Sequence, residues 1–264
     1  VVLMFAAHQV NAITIKGSEP SYAGRTLEFN TWTDPVSLNE KPVFRLVIDD
    51  KGNFSTTVQV SEHLYCFSEF GIYRGKMVLV PGQDIILQLP PLRDKSFEES
   101  KNPYFEVAET WLRVNGGTDD KLTNLVAHFD NRFYQLSDRY FNQLYYRQLK
   151  NYRDTVQIRL DKEFSGFKNP WFLTHCQWRM KFLIADMTRE GREKLIASVK
   201  TPFATDWDQP AFTELLNNLF VNTLSIESKT IGGSKLKQWI SQKNTAELKK
   251  WTDNFIAASS PLTD

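Results

Sequence analysis

The residues best suited to chemistry in this sequence are two cysteines, Cys66 and Cys176. His175 directly precedes Cys176, but neighbours in a helix point about 100° apart, and catalytic Cys–His pairs meet through tertiary contact. No Cys-x-x-Cys redox motif occurs. A disulfide needs Cα atoms within about 7 Å, which spacing alone does not decide. We expect two separate buried thiols that react slowly with alkylating reagents and give no disulfide reductase activity.

Other candidate sites lack part of their pattern. His8, His63 and His128 have no second ligand three or four residues away, so they predict no zinc site. Asp49–Asn53 lacks the distal glutamate of a calcium loop and predicts a tight turn. Thr230–Lys235 lacks the spacing of a phosphate-binding loop and predicts the start of a helix. The sequence therefore predicts no catalytic residue, no metal ligand and no cofactor site, and we expect this chain not to be an enzyme.

Basic and aromatic residues alternate between Arg132 and Arg153, as they do in proteins that bind single-stranded nucleic acid. Here the aromatic residues recur at helical spacing, which favours a packed face with solvated arginines. The formal net charge of +1 gives no support for a nucleic-acid partner or a polybasic membrane contact. No apolar stretch reaches the roughly 18 residues that a transmembrane helix needs.

The elements that must position these residues fall into two kinds. Residues 13–90 alternate between apolar and polar with turn residues between the runs, which predicts about seven short strands. The turn at Asp49–Asn53 is expected to pair residues 54–60 with the preceding strand. We predict an antiparallel β-sandwich over residues 13–92.

The period changes to 3.6 after a connector at residues 93–118. One helix of about 30 residues is predicted from 119 to 150, and further helices at 152–164, 170–187, 189–199 and 210–224, with two more between 234 and 258. The predicted fold class is α+β, an N-terminal antiparallel β-sandwich followed by a separate all-helical domain over residues 119–264.

The first twelve residues resemble the end of a secretory signal peptide. Val1–Ala7 is apolar, and Val10 and Ala12 stand three residues and one residue before a cleavage position at Ile13. A buried first strand or short core helix is the alternative. The signal predicts export to the periplasm or cell envelope. Since no cysteine follows the apolar run, we expect the exported protein not to be lipid-anchored.

Several ordered motifs resemble those of exported TlpA-like and thioredoxin-family proteins of Bacteroidetes. The motifs are Ile48–Phe54, Val80–Asp84, Leu89–Pro91, Asn102–Phe105, Asn169–Phe172 and Gln209–Leu216. Gln209 replaces the usual asparagine, and Gln83 lengthens the usual turn. The resemblance implies an N-terminal β-sandwich domain of unknown function and a helical region. It also implies that a thioredoxin-like domain, which carries the family's catalytic cysteines, follows Asp264.

Two functions are consistent with these observations. The first is a non-catalytic accessory region that positions a downstream thioredoxin-like domain or its envelope partner. The alternative is a stand-alone envelope binding or scaffold protein, in which Tyr104, Phe105 and Trp111 line a groove where the sandwich meets the helices. Those three aromatic residues could equally seal the contact between the two regions. Nucleic acid is not an expected partner.

Overall fold

The computed structural model describes residues 11–35, 37–187, 208–220 and 233–259. Its strands lie where alternation predicted them, with two more in the connector. The strands are β1 (Asn11–Ser18), β2 (Thr26–Trp32), β3 (Glu40–Val47), β4 (Asn53–Val60), β5 (Leu64–Phe70), β6 (Tyr73–Leu79), β7 (Ile85–Gln88), β8 (Ala108–Trp111) and β9 (Arg113–Val114). Residues 1–10 of the expected signal segment lie outside the described residues. Asn11 and Ala12 belong to β1, where they pair with Val60 and Gln59.

The strands form two mixed sheets, ordered β4-β1-β7-β9 and β3-β2-β5-β6-β8. The prediction of a purely antiparallel arrangement is wrong, because β1 pairs with β7 and β6 pairs with β8 in parallel. A parallel partner is reached by a long connection rather than a tight turn. Here residues 80–107 connect β6 to β8, and this connection brings a connector strand to the edge of the five-stranded sheet.

The turn at Asp49–Asn53 forms as predicted, but it does not close a hairpin. Asp49 Oδ1 accepts hydrogen bonds from the backbone N–H groups of Lys51 and Asn53, at 2.8 and 2.7 Å. Gly52 has φ of 84°, a conformation that favours glycine. The strands on either side separate, because β3 pairs with β2 and β4 pairs with β1. The turn therefore carries the chain from one sheet to the other.

Both sheets contribute to one apolar core, which gives this region a sandwich-like character. Ile13 and Ile15 come from the four-stranded sheet, and Phe29 and Leu46 from the five-stranded sheet; all four are fully buried. The rings of Phe29 and Phe44 stack with centroids 4.6 Å apart. The alternation seen in the sequence thus places the apolar residues of both sheets in the core.

The described helices include α1, a five-residue helix in the connector. Their bounds are α1 (Phe97–Lys101), α2 (Leu122–Arg139), α3 (Lys150–Glu163), α4 (Pro170–Met187), α5 (Pro210–Phe220), α6 (Gly233–Ser241) and α7 (Thr245–Ser259). The helix predicted at 189–199 lies outside the described residues, as does the end of the one predicted at 210–224. Within the described ranges, no helix combines the length and the apolar character needed to cross a bilayer.

The single helix predicted over residues 119–150 is wrong. α2 ends at Arg139, a π-helical turn covers Asn142–Tyr146, and Gln148 has a positive φ of 52° before α3 begins. The packed aromatic face predicted along this run is correct only in part. Phe133 and Leu144 are buried, but Phe141 and Tyr146 are exposed.

The chain divides into two compact units. One contains both sheets, the described chain up to Gln135, and Lys162–Leu173. The other contains Leu136–Asp161 and the described residues from Thr174 onward. The first turns of α2 and α4 therefore belong with the sheets.

Candidate functional site

The three residues predicted to line a groove occupy different environments. Tyr104 is 87% exposed, and its backbone N–H donates to Asn102 Oδ1 at 2.9 Å in a local turn. Phe105 is half-buried, with the Lys95 ammonium 4.9 Å from its ring centroid. Trp111 is half-buried at the end of β8. Of the three, Trp111 has the most extensive set of contacts.

Trp111 is held by contacts to the sheet and to α2. Its indole Nε1 donates to Asp130 Oδ2 at 2.9 Å, and its ring meets Tyr65 edge to face at 6.1 Å. The Lys76 ammonium lies 5.2 Å from its ring centroid, within the range of a cation–π contact. These contacts fix the orientation of the indole.

A cleft of about 260 Å³ lies beside Trp111. Its lining residues are Gln88–Pro91 and Thr110–Arg113. The structure thus brings Trp111 together with Pro90 and Pro91, whereas Tyr104 and Phe105 do not line this cleft. The volume is just under the range of roughly 300–1,000 Å³ typical of ligand pockets. Apolar rings with one flanking guanidinium, from Arg113, suit a small amphipathic group.

Charged side chains continue from Trp111 across the outer face of the five-stranded sheet. Lys76 is only 7% exposed, and its Nζ lies 2.9 Å from Glu109 Oε2. Arg74 pairs with Glu69 and approaches Glu109 at 3.7 Å. Each buried or half-buried cation on this face therefore has a carboxylate beside it. The sequence alone does not predict this network, because a lysine in a strand is expected to face solvent.

Arg74 also lies against two aromatic rings. Its guanidinium carbon is 5.1 Å from the ring centroid of Phe67 and 5.6 Å from that of Trp32. Cross-strand pairing explains the arrangement, since Glu69 stands opposite Arg74 and Phe67 opposite Lys76. A period-two pattern in each strand, at residues 65, 67 and 69 and at residues 74, 76 and 78, is the signal that could have located this face.

The first turn of α2 satisfies backbone groups of both sheets. Thr123 Oγ1 accepts from the N–H of Val78 at 3.0 Å and donates to its carbonyl at 3.1 Å. Asn124 does the same for Val114, with Oδ1 accepting at 3.0 Å and Nδ2 donating at 2.7 Å. Both side chains are buried. Val114 lies in the edge strand β9, and Val78 lies past the end of the pairing between β6 and β8. Two consecutive residues thus bond backbone groups that β8 and a further strand do not reach.

His128 is not isolated, as the sequence suggested. Its Nδ1 lies 2.8 Å from Asp119 Oδ2, and its Nε2 lies 3.5 Å from Glu163 Oε1. Arg132 Nε donates to the other oxygen of Glu163 at 2.8 Å. Asp119 also lines a second cleft of about 210 Å³ with Lys168 and Asn169. This network joins α2 to the residues around Glu163 through charge pairs. Across the described ranges, no three His, Cys, Asp or Glu side chains are arranged to hold a metal ion.

The two thiols differ in exposure. Cys66 is fully buried on the core face of β5, and burial raises its pKa. Cys176 is half-buried in α4, next to the buried His175, so the prediction of two buried thiols is correct for Cys66 and wrong for Cys176. Within the described residues, neither forms a disulfide. A neutral, buried thiol such as Cys66 is a poor nucleophile, because the thiolate is the reactive form.

Comparison with known proteins supplies no family for the chain. No family model, curated protein or solved structure matches it. The resemblance to exported TlpA-like and thioredoxin-family proteins therefore stays a hypothesis.

Proposed function

We propose that this chain is a non-catalytic accessory region of an exported, envelope-located thiol–disulfide oxidoreductase-like protein. In this proposal the two sheets form a β-sandwich domain, and the helices after α2 form a separate helical domain. The helices position a downstream thioredoxin-like domain or its envelope partner.

The attachment of α2 to both sheets carries the proposal. Thr123 and Asn124 bind the backbone of Val78 and Val114, which lie in different sheets. Trp111 and Asp130 add a third contact one to two turns further along α2. A helix fixed at its start to two sheets has a defined direction, which is what a positioning element requires. The burial of Cys66 is consistent with the same role.

The direct test is the reading frame that follows the codon for Asp264. We expect it to encode further helices and a thioredoxin-like domain with Cys-x-x-Cys. A stop codon soon after Asp264 would rule out the redox assignment.

A biochemical test uses the chain itself. In an insulin-reduction assay we expect no acceleration over dithiothreitol alone, and slow alkylation of Cys66 in the native state. Cys176→Ser is the matched variant. A reductase activity that this variant abolishes would show that the chain is catalytic.

The alternative is a stand-alone envelope binding or scaffold protein, favoured by the cleft beside Trp111. Immobilised chain would then retain an envelope peptide or glycan, and Arg113→Ala would weaken retention. Arg45→Ala, on the exposed side of β3, is the control. Equal retention by both variants, or none by the intact chain, would exclude this cleft as the binding site.

A further inference from the structure

The connection between α2 and α3 exposes aromatic side chains. Phe141 is 48% and Tyr146 77% exposed, and their ring centroids lie 5.6 Å apart. Leu149 is also exposed, whereas Leu144 is fully buried and anchors the π-helical turn. π-helical turns occur mostly as short insertions and are frequent at functional sites. The exposed rings are therefore held in place by the turn.

Two exposed basic side chains, Arg147 and Lys150, lie in and directly after this connection. Arg139 and Arg153 lie further out, next to Asp138 and Asp154 in the chain. Arg153 pairs with the neighbouring Asp154 at 2.7 Å. Arg147 and Lys150 are exposed, and among the described residues no carboxylate lies within 4 Å of either. The connection thus presents two basic side chains beside exposed aromatic rings.

The connection forms a tip. The rings of Tyr140 and Tyr152 lie 5.3 Å apart, so the chain reverses between them. The Arg159 guanidinium lies 5.8 Å from the Tyr140 ring, which fixes α3 beside the end of α2. Residues 146–151 are all exposed. We name residues 141–151 the aromatic–basic tip.

We propose that the aromatic–basic tip binds the surface of an anionic phospholipid bilayer, as a peripheral contact. Phe and Tyr rings settle at the level of the lipid headgroups, and clusters of Lys and Arg are attracted to anionic lipids. Exposed rings beside exposed basic side chains, on one short chain reversal, suit a planar, deformable surface. An extended nucleic acid or a peptide is normally held in a groove. This contact is independent of the function proposed above.

Vesicle co-sedimentation tests the proposal with the whole chain. We expect it to bind vesicles of phosphatidylcholine with phosphatidylglycerol, and not phosphatidylcholine alone. Arg147→Glu with Lys150→Glu should weaken binding by about tenfold or more, since each basic residue contributes to attraction at the surface. Tyr146→Ser should weaken it several-fold, with a loss that persists at high salt, because salt screens charge and not ring insertion.

The matched control is Lys41→Glu with Lys51→Glu, which makes the same charge change at exposed positions of the sheet region. Circular dichroism checks that each variant is folded. Equal loss in the control would show that net charge, not the tip, drives binding. Absence of binding by the intact chain would overturn the proposal. A gel shift with single-stranded oligonucleotide, lost in the tip variant without any vesicle binding, would overturn it in favour of nucleic acid.

Discussion

The two faces of the five-stranded sheet are both largely covered, but by different chemistry. The core face carries apolar residues such as Phe29, Cys66 and Met77. The outer face carries Lys76 among aromatic rings, with Glu109 as its partner. Burial of apolar surface is enough to explain the stability of the core face. The stability of the outer face depends on specific charge pairs. The charge and polarity of a substituted side chain should therefore affect stability there more than its volume does.

Removing Phe29 should have the largest effect on stability. Phe29→Ala deletes a fully buried ring that stacks on Phe44, and we expect a loss of about 3–5 kcal/mol in the free energy of unfolding. Phe97→Ala, at an exposed position in α1, is the control and should change it by less than about 0.5 kcal/mol. Urea denaturation measures both. Similar losses of unfolding free energy in Phe29→Ala and Phe97→Ala would mean that Phe29 does not lie in the core.

Thr123→Val tests the polar attachment of α2 to the backbone of the five-stranded sheet. The hydroxyl is lost at nearly constant volume, which leaves the Val78 N–H without its partner at a buried site. We expect a loss of about 1–3 kcal/mol in urea denaturation. Thr123→Ser keeps the hydroxyl and should recover part of that loss. If valine were tolerated better than serine, packing rather than hydrogen bonding would hold α2 there.

Lys76 and Glu109 provide the sharpest contrast between the faces. Glu109→Gln removes the charge beside a buried ammonium, and we expect a loss of about 1–2 kcal/mol, reduced by the exposure of Glu109. Lys76→Met should change stability by less than about 1 kcal/mol, because an apolar chain replaces the buried cation. Thermal unfolding compares the two. The reverse order would show that the cation itself is required.

The smallest expected effect concerns two exposed carboxylates in segments between the elements, Asp49 and Asp94. The Arg25 guanidinium lowers the pKa of Asp94, and the backbone N–H of Asn53 lowers that of Asp49. A pKa below the unfolded value adds stability above about pH 4, which is lost as pH falls through the folded value. We expect the Tm to decrease below pH 4, and less steeply in Asp94→Asn. Asp50→Asn is the charge-matched control, and an identical slope in all three proteins would exclude the Arg25–Asp94 pair.

The sequence pattern predicted where the strands and helices lie better than it predicted which strands pair. Alternation located β1 to β7 closely, and Pro170 and Pro210 marked the starts of α4 and α5. The partners of β3 and β4 could not be predicted, because a tight turn joins two strands whether or not they pair. The break at Gln148 gave no signal either, since its positive φ follows from the chain reversal and not from its residue type.

The candidate site was predicted least well. Trp111 was predicted to line a groove where the sandwich meets the helices, and the structure gives it a cleft lined by residues 88–91 and 110–113 and a hydrogen bond to Asp130. Tyr104 and Phe105 do not line this cleft. The residues around Trp111 come from about 20 positions away in the chain, and which ones they are depends on how β8 joins the sheet. His128 shows the same limit, since Glu163 is brought to it from 35 positions away.

The position of β1 has a consequence for how the chain folds. β1 is the first described strand, yet it lies between β4 and β7, with Ile15 opposite both Thr56 and Ile85. Its N–H at Thr14 bonds to the side chain of Asp84, 70 residues later. Long-range pairings of this kind slow folding, because a large loop must close before any contact stabilises it. We expect the sheet region to fold in the slow range of small β proteins, because β1 can pair with β4 early but gains its second partner only when β7 has been made.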